Sequence, residues 1–331
     1  MIYIDITNQW IARVIEYLNR NGGYALVVSD EGNSFMTRMS SFKIGNLYEI
    51  AGRQAIVTGG GSGIGQMICK GFAANNVNVA IVDLFQDRID KTIAICEEIK
   101  KETGSTCKIT SLCYDIGNEK SNKELVEFIN GNYENVDILI NCAGIRRQNK
   151  VTFTPGESLE KLHEATNSIG WNDFRDTFDV NVFGMYFLTA GLVQKLGEAA
   201  LKGDGRGVVI CFSSPCSVHN NQFVPTYQLS KISIDHMVRI MAAEFADKYI
   251  RVNAISPGLY ASRMTPMAPD DPSSNMKYVH LVPARREGSS EEMAAAIIFL
   301  CSKGGAYVDG RNLRMDGGRL LTLKGHIYSD E

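Results

Sequence analysis

The chain has no surplus of positive charge. Its 34 Lys and Arg face 37 Asp and Glu, a net charge of −3 at pH 7. A nucleic-acid surface usually leaves a basic excess, so that partner is not expected. No apolar run reaches the length that spans a bilayer, so no membrane partner is expected. The opening "MIYIDITNQW" carries an acidic residue and no basic n-region, and does not read as a secretory signal. The eight cysteines, at 69, 96, 107, 113, 142, 211, 216 and 301, include no C-x-x-C pair. No Cys/His group has zinc spacing, so no metal is expected. Most of these cysteines lie in apolar runs, where a thiol acts as a small hydrophobe. Reduced thiols and a cytoplasmic location follow as expectations. Internal repeats, low-complexity tracts and linkers are also lacking.

What is present divides near residue 50. Residues 1–50 form an N-terminal extension of unknown role, with one helical pattern: Trp10, Ile11, Val14, Ile15 and Leu18 recur at three- and four-residue steps. A short strand is expected in "NGGYALVVSDEGNS", and no motif lies there. From 51 to 331 strands and helices alternate. Strands are predicted in 54–60, 77–84, 107–117, 136–144, 207–214, 250–258 and 310–318, with helices in 65–76, 88–104 and 122–133. Near-continuous apolar strands separated by helices predict an α/β fold: a single Rossmann-type, doubly wound parallel sheet of about seven strands, covered by helices on both faces. With 44% hydrophobic and 21% charged residues, the composition is that of a soluble globular protein.

Between the first strand and the first helix stands "TGGGSGIG" (58–65). Glycines there let the backbone turn sharply and approach a pyrophosphate, with the helix N-terminal amides facing the anion. A tight strand-to-helix turn is the alternative. The position at the head of the first βαβ unit favours the dinucleotide reading. Eighteen residues after Gly65, the second strand ends at Asp83. A carboxylate there accepts from both adenosine ribose hydroxyls and repels a 2′-phosphate, so NAD(H) is favoured, with NADP(H) still possible. A solvated strand-end aspartate is the plainer alternative.

"TYQLSK" (226–231) places Tyr227 one helical turn before Lys231. Alone that pair is weak evidence. In order and spacing, however, "TGGGSGIG", Asp115, "NCAG" (141–144), Asn181 in "VNVFG", "SS" (213–214), "YQLSK", "SPG" (256–258) and "VDGRNLRMDGG" (308–318) resemble the classical short-chain dehydrogenase/reductase family over about residues 50–320. Within it the chain is similar to fungal-type members labelled 3-oxoacyl-carrier-protein reductase or gluconate 5-dehydrogenase-like. The resemblance implies a homodimer or homotetramer and NAD(P)-dependent hydride transfer between a secondary alcohol and a ketone. It implies catalytic roles for Ser214, Tyr227, Lys231 and Asn181. Gly59, Ser62, Ile64 and Gly65 would line the pyrophosphate, and Asp83 the ribose. Asp115 and Ile116 would lie at the adenine. Asn141, Ala143 and Gly144, with Tyr227 and Lys231, would flank the nicotinamide ribose. Pro257, Gly258, Leu259 and Ser262 would approach the nicotinamide. Departures are Cys142, where asparagine is common, Leu229, where alanine is common, Pro215 directly after the serine, and about a dozen extra residues between Gly144 and Asn181.

Those residue types suit the chemistry. A phenol with a pKa of about 10 is a poor proton donor near neutrality. A lysine one turn away is expected to lower it. The Ser214 hydroxyl can stabilise charge developing on a carbonyl oxygen. The Asn181 side chain is expected to keep a water in a relay to Lys231. Two other classes stay open: a non-redox enzyme or cofactor-binding protein on the same scaffold, and a 3-oxoacyl thioester reductase.

Weaker signals remain. Met264, Met267, Met276 and Tyr278 in 259–286 suggest an adaptable lid or merely a packed loop. Arg146 and Arg147 suit an acidic substrate or a solvated pair. His219 and His280 read as surface residues, and Cys216 has no evident base. Helical stretches 181–201 and 230–249 carry apolar positions beyond one stripe, among them Phe187, Val193, Ile234, Met237 and Met241, which predicts a helix-mediated contact between copies.

Overall fold

The computed structural model describes residues 42–219, 224–268, 271 and 274–322. The chain divides into two compact units, 1–46 and 47–331, and the fold described is that of the second. The helix and strand expected within residues 1–41 lie outside the described residues.

Seven parallel strands form one sheet in the order β3-β2-β1-β4-β5-β6-β7. They are β1 (Gln54–Thr58), β2 (Asn78–Asp83), β3 (Ile109–Cys113), β4 (Ile138–Asn141), β5 (Val208–Phe212), β6 (Arg251–Pro257) and β7 (Asn312–Met315). Each lies inside the span its apolar run predicts. The helices used below are α1 (Gly63–Ala74), α2 (Gln86–Thr103), α3 (Glu119–Asn132), α4 (Leu159–Asn167), α5 (Trp171–Phe178), α6 (Met185–Gly191), α7 (Val193–Ala200), α8 (Pro225–Phe245) and α9 (Ser290–Cys301). The stretch between Gly144 and Asn181, which holds the extra residues, forms α4 and α5, and α4 is capped by Ser158 accepting from the Lys161 amide at 3.2 Å.

Period-two alternation sends the strand side chains to two cores. Val57, Ile81 and Ile140 join Ile68 and Phe72 of α1 and Met293 and Ile297 of α9. Ile56, Val82 and Leu139 join Leu125 of α3, Leu188 of α6 and Val238 of α8. Full burial of one such aliphatic side chain contributes about 1.5–3 kcal/mol. Ile234, Met237 and Met241 belong to this second core, with 0%, 7% and 1% of their surface exposed. They are therefore not surplus apolar positions, a correction to the sequence reading. The covered face of α8 and its outer face interleave too closely in a 21-residue helix of low amphipathicity to be separated by composition. The large apolar side chains left outside on these stretches include Phe183, Tyr186, Phe187, Leu229, Ile232 and Ile240.

The strand order reverses between β1 and β4, so the chain leaves their C-terminal ends in opposite directions. That opens a crevice, the usual ligand position in such sheets. Thr58 and Asn141 are register partners at its floor.

Candidate active site

The strand ends converge first at the glycine loop. Gly59 has φ +68°, the left-handed region, and a Cβ there would lie 2.8 Å from the Ala143 Cα. A Cβ on Gly65 would strike the Gly59 carbonyl. Both positions demand a bare backbone, which lets the loop turn tightly under α1. Ser62 is the N-cap of α1, yet its side chain makes no capping bond, and Ile64 packs on the core beneath. The result is a cradle with bare amides and a hydroxyl at a helix N-terminus, which fits a dinucleotide pyrophosphate. Thr58 was not singled out by sequence. Its Oγ1 accepts from the Cys142 and Ala143 amides at 3.1 and 3.2 Å, tying the loop strand to the "NCAG" turn.

Asp83, at the end of β2, is buried. Its Oδ2 accepts from the Gly61 amide at 3.1 Å and its Oδ1 from the Phe85 amide at 3.2 Å. These bonds aim the carboxylate across the loop. Arg88 lies 3.8 Å from Oδ1 and stacks over the Phe85 ring at 3.8 Å. Sequence reasoning missed this cation beside Asp83. Its place one helical turn into α2 was a usable signal.

Asp115 turns its Oδ1 to the Gly117 amide at 2.9 Å, and the Ile116 carbonyl accepts from Asn122 at 2.9 Å. Asn141 faces inward: its Nδ2 donates to Thr189 Oγ1 at 2.9 Å. Its side chain therefore braces α6, and only its backbone borders the crevice. Leu259 packs with Met267 and Val282. Pro257 ends β6, and the Gly258 amide donates to the Met315 carbonyl at 2.9 Å. Ser262 Oγ accepts from the Thr265 amide at 3.0 Å, and its Cβ lies beside Gly63, so the loop after β6 meets the glycine loop.

At the other end of the crevice, Ser214, Tyr227, Lys231 and Asn181 come together. Ser214 Oγ accepts from the Cys216 amide at 3.1 Å, and its hydroxyl stands close enough to the Tyr227 phenol to lower its pKa. Pro215 is harmless there, since it opens the short turn Pro215–Ser217 where no amide is needed. Ser213 instead bonds the Lys231 carbonyl at 3.2 Å. Lys231 Nζ donates to the Phe212 carbonyl at 2.7 Å and lies 5.2 Å from the centre of the Tyr227 ring. A Cβ on Gly144 would stand 3.3 Å from Asn181 Oδ1 and 3.6 Å from Lys231 Nζ, so the "NCAG" turn closes on both.

Asn181 sits in a π-helical turn, Asp179–Gly184, between α5 and α6. Such wide turns re-aim a side chain out of helical register. Asn181 is fully buried. Its Oδ1 accepts from the Ile145 amide at 2.8 Å, and its Nδ2 donates to the Ile145 carbonyl at 2.9 Å and Ser230 Oγ at 3.0 Å. Ser230 in turn bonds the Tyr227 carbonyl at 2.8 Å. The Asn181 side chain thus clamps the backbone at Ile145 and the first turn of α8.

Electrostatics depart from the sequence expectation as well. Burial pushes the Tyr227 phenol above its ordinary value, and Cys216 adds to this. The opposing influences include the Ser214 hydroxyl and the Arg146 charge. Burial brings Lys231 itself down from 10.5 to about 8, partly offset by Cys142. Burial pushes the Cys142 thiol up to about 12, so it stands as a packing residue. His280 is exposed, and no cysteine is in a disulfide. Of the suggested lid, Met267 is buried while Met276 and Tyr278 are exposed. Among the described residues no group of His, Cys, Asp or Glu is arranged to hold a metal, and no helix is long and apolar enough to cross a membrane.

The chain as a whole is similar to known proteins. Residues 59–319 match the family described as "Enoyl-(Acyl carrier protein) reductase". A short-chain dehydrogenase/reductase of Diaporthe leptostromiformis is 30% identical over 285 residues, covering 83% of this chain and 94% of that protein. The L-tagatose-forming galactitol 2-dehydrogenase of Cereibacter sphaeroides is 31% identical, covering 82% of this chain and 96% of its own length. A solved structure of a 2-deoxy-D-gluconate 3-dehydrogenase assignment from Agrobacterium tumefaciens, with bound NADP, superposes with a TM-score of 0.66 at 30% identity, over 83% of this chain and 99% of that one. With the seven-stranded parallel sheet and the nicotinamide-enzyme relatives, the chain belongs to the classical short-chain dehydrogenase/reductase family.

Proposed function

We propose that this enzyme transfers a hydride between a nicotinamide cofactor and a secondary alcohol or ketone, with Tyr227 as acid and base, Ser214 as its partner on the substrate oxygen, and Lys231 and Asn181 in support. The observation that carries this reading is the convergence of Ser214, Tyr227 and Lys231, with Lys231 Nζ 5.2 Å from the centre of the Tyr227 ring, at the end of a crevice that begins with the glycine cradle. When bound, the nicotinamide supplies or accepts the hydride. The chain's own residues handle the oxygen and its proton. In reduction the Tyr227 phenol gives its proton to the carbonyl oxygen, while the Ser214 hydroxyl donates to the same oxygen. In oxidation the phenolate takes that proton back. Lys231, with a pKa of about 8, is poised to exchange a proton near neutrality. Asn181 holds Ile145 and, through Ser230, the first turn of α8, which keeps Tyr227 at a fixed distance from the "NCAG" turn.

The Asp83 carboxylate supports NAD(H) as the preferred cofactor, while Arg88 nearby leaves room for NADP(H). The exposed apolar side chains of α6 and α8 support a homodimer or a tetramer built on it. We read residues 51–331 as one NAD(P)-binding catalytic domain and residues 1–50 as an N-terminal extension.

Tyr227→Phe tests the assignment. It removes the transferable proton and little volume. Turnover should fall at least about a thousandfold, within the range for loss of a general acid, with NADH affinity nearly unchanged. Activity within tenfold of wild type would remove Tyr227 from the mechanism.

A further inference from the structure

Two adjacent arginines follow the "NCAG" turn, and their surroundings differ. The Arg147 guanidinium lies 3.3 Å from Asp176 Oδ2 in an ion pair. Among the described residues Arg146 has no carboxylate partner. Its guanidinium donates to the Met264 carbonyl at 3.3 Å. An arginine carries five N–H donors in a planar fork, so most of its capacity stays open.

The backbone on either side of Arg146 is pinned to the catalytic groups. Ile145 exchanges bonds of 2.8 and 2.9 Å with the Asn181 side chain. The Arg147 carbonyl accepts from Thr226 Oγ1 at 2.9 Å, one residue before Tyr227. The Arg146 side chain then runs to Met264, two residues beyond Ser262, where the loop after β6 meets the glycine loop. It therefore bridges the two sides of the crevice mouth at the substrate end. The charge reaches the Tyr227 phenol, whose pKa it lowers. An exposed cation tied only to a neutral carbonyl, beside a proton donor, is placed to meet an anion on the bound molecule. A guanidinium fork matches a carboxylate in bidentate fashion.

We propose that Arg146 determines specificity by binding a carboxylate on the substrate, so that the enzyme works on hydroxy acids and oxo acids rather than on neutral alcohols and ketones. The inference rests on the reading of Ser214 and Tyr227 as the carbonyl site. Arg146 fixes which end of the substrate faces outward, and the carboxylate it holds positions the reacting carbon over the phenol.

The test measures binding to the protein–NADH complex through the fluorescence of bound NADH. The probes are 4-oxopentanoate with its methyl ester, and 5-oxo-D-gluconate with L-sorbose, the same skeleton without the carboxylate. Wild type should hold at least one acid about tenfold more tightly than its neutral counterpart, the size of one charge-assisted contact at a partly open site. Arg146→Gln should bring the pair within about twofold, and Arg146→Lys should retain part of the difference because the charge survives while the fork is lost. Arg147→Gln should leave the acid-to-neutral ratio unchanged. Equal binding of acids and neutral probes by wild type, or an undiminished preference in Arg146→Gln, would overturn the proposal. Failure of the parent reading looks different: wild type would bind neither NADH nor NADPH, or Tyr227→Phe would keep its turnover; a wild type that binds only NADPH is tested as its NADPH complex.

Discussion

Replacing Lys231 with methionine should make the folded protein more stable at neutral pH while removing its activity. Lys231 is 4% exposed, and burial lowers its pKa from 10.5 to about 8. At about 1.4 kcal/mol per decade, that difference places roughly 3 kcal/mol of destabilisation on the protonated folded state. The sign follows from the protons bound. Below pH 8 both folded and unfolded chains carry the proton, and the whole penalty applies. Between pH 8 and 10.5 the unfolded chain binds more protons, so stability rises with pH. Above that window the amine is neutral in both states and the penalty is gone. Methionine has a similar length and no charge, so it removes the penalty with little change in packing. It also loses the 2.7 Å bond to the Phe212 carbonyl. That loss costs about 1 kcal/mol. The net expectation is a variant more stable than wild type by about 1–2 kcal/mol at pH 7, with the advantage vanishing near pH 10. Urea unfolding of both proteins at pH 7, 8.5 and 10 measures it, and taking the difference cancels other titrations. A variant less stable than wild type at pH 7, or a stability difference that does not change with pH, would refute the reasoning.

Asp83→Ser should narrow or invert a preference of the wild type for NADH over NADPH, and Arg88→Ala should weaken NADPH in particular; fluorescence titration of both cofactors reads this, and a wild type that prefers NADPH would show Arg88 overriding the carboxylate. Arg251 is buried and donates to the Gly205, Leu300, Gly305 and Val308 carbonyls, with no carboxylate in that set. Arg251→Met should destabilise by about 3–5 kcal/mol in urea unfolding, because four buried acceptors lose a charged donor; a loss under 1 kcal/mol would count against it. Light scattering at micromolar concentration should show at least a dimer, and Phe187→Glu, at a side chain 62% exposed, should shift it toward monomer with the fold intact; a wild-type monomer would end the proposal of a second copy on this face.

Much of this protein is legible in one dimension. The seven parallel strands follow from apolar runs separated by helical periods, because burial on both faces leaves no polar alternation to obscure them. The glycine loop, Asp83 and the Tyr227–Lys231 pair are legible because each depends on local spacing: a turn, a strand end, one turn of helix. Other features depend on groups far apart in the chain. Asn181 clamps Ile145 and Ser230, 36 and 49 residues away, through a π-helical turn that composition does not announce. Ile234, Met237 and Met241 are core rather than contact surface because α8 lies on β6 and β5, a matter of packing rather than of apolar content. Arg146 and Arg147 are identical as letters. Only the fold gives Asp176 to one and leaves the other at the crevice mouth. Charge effects on Tyr227 are likewise tertiary: burial raises its pKa and Arg146, 81 residues away in the chain, opposes it. Periodicity and spacing determine which backbone elements form, since those depend on neighbours in sequence. Solvent exclusion and the partners of each polar group depend on neighbours in space, and the tertiary structure alone decides them.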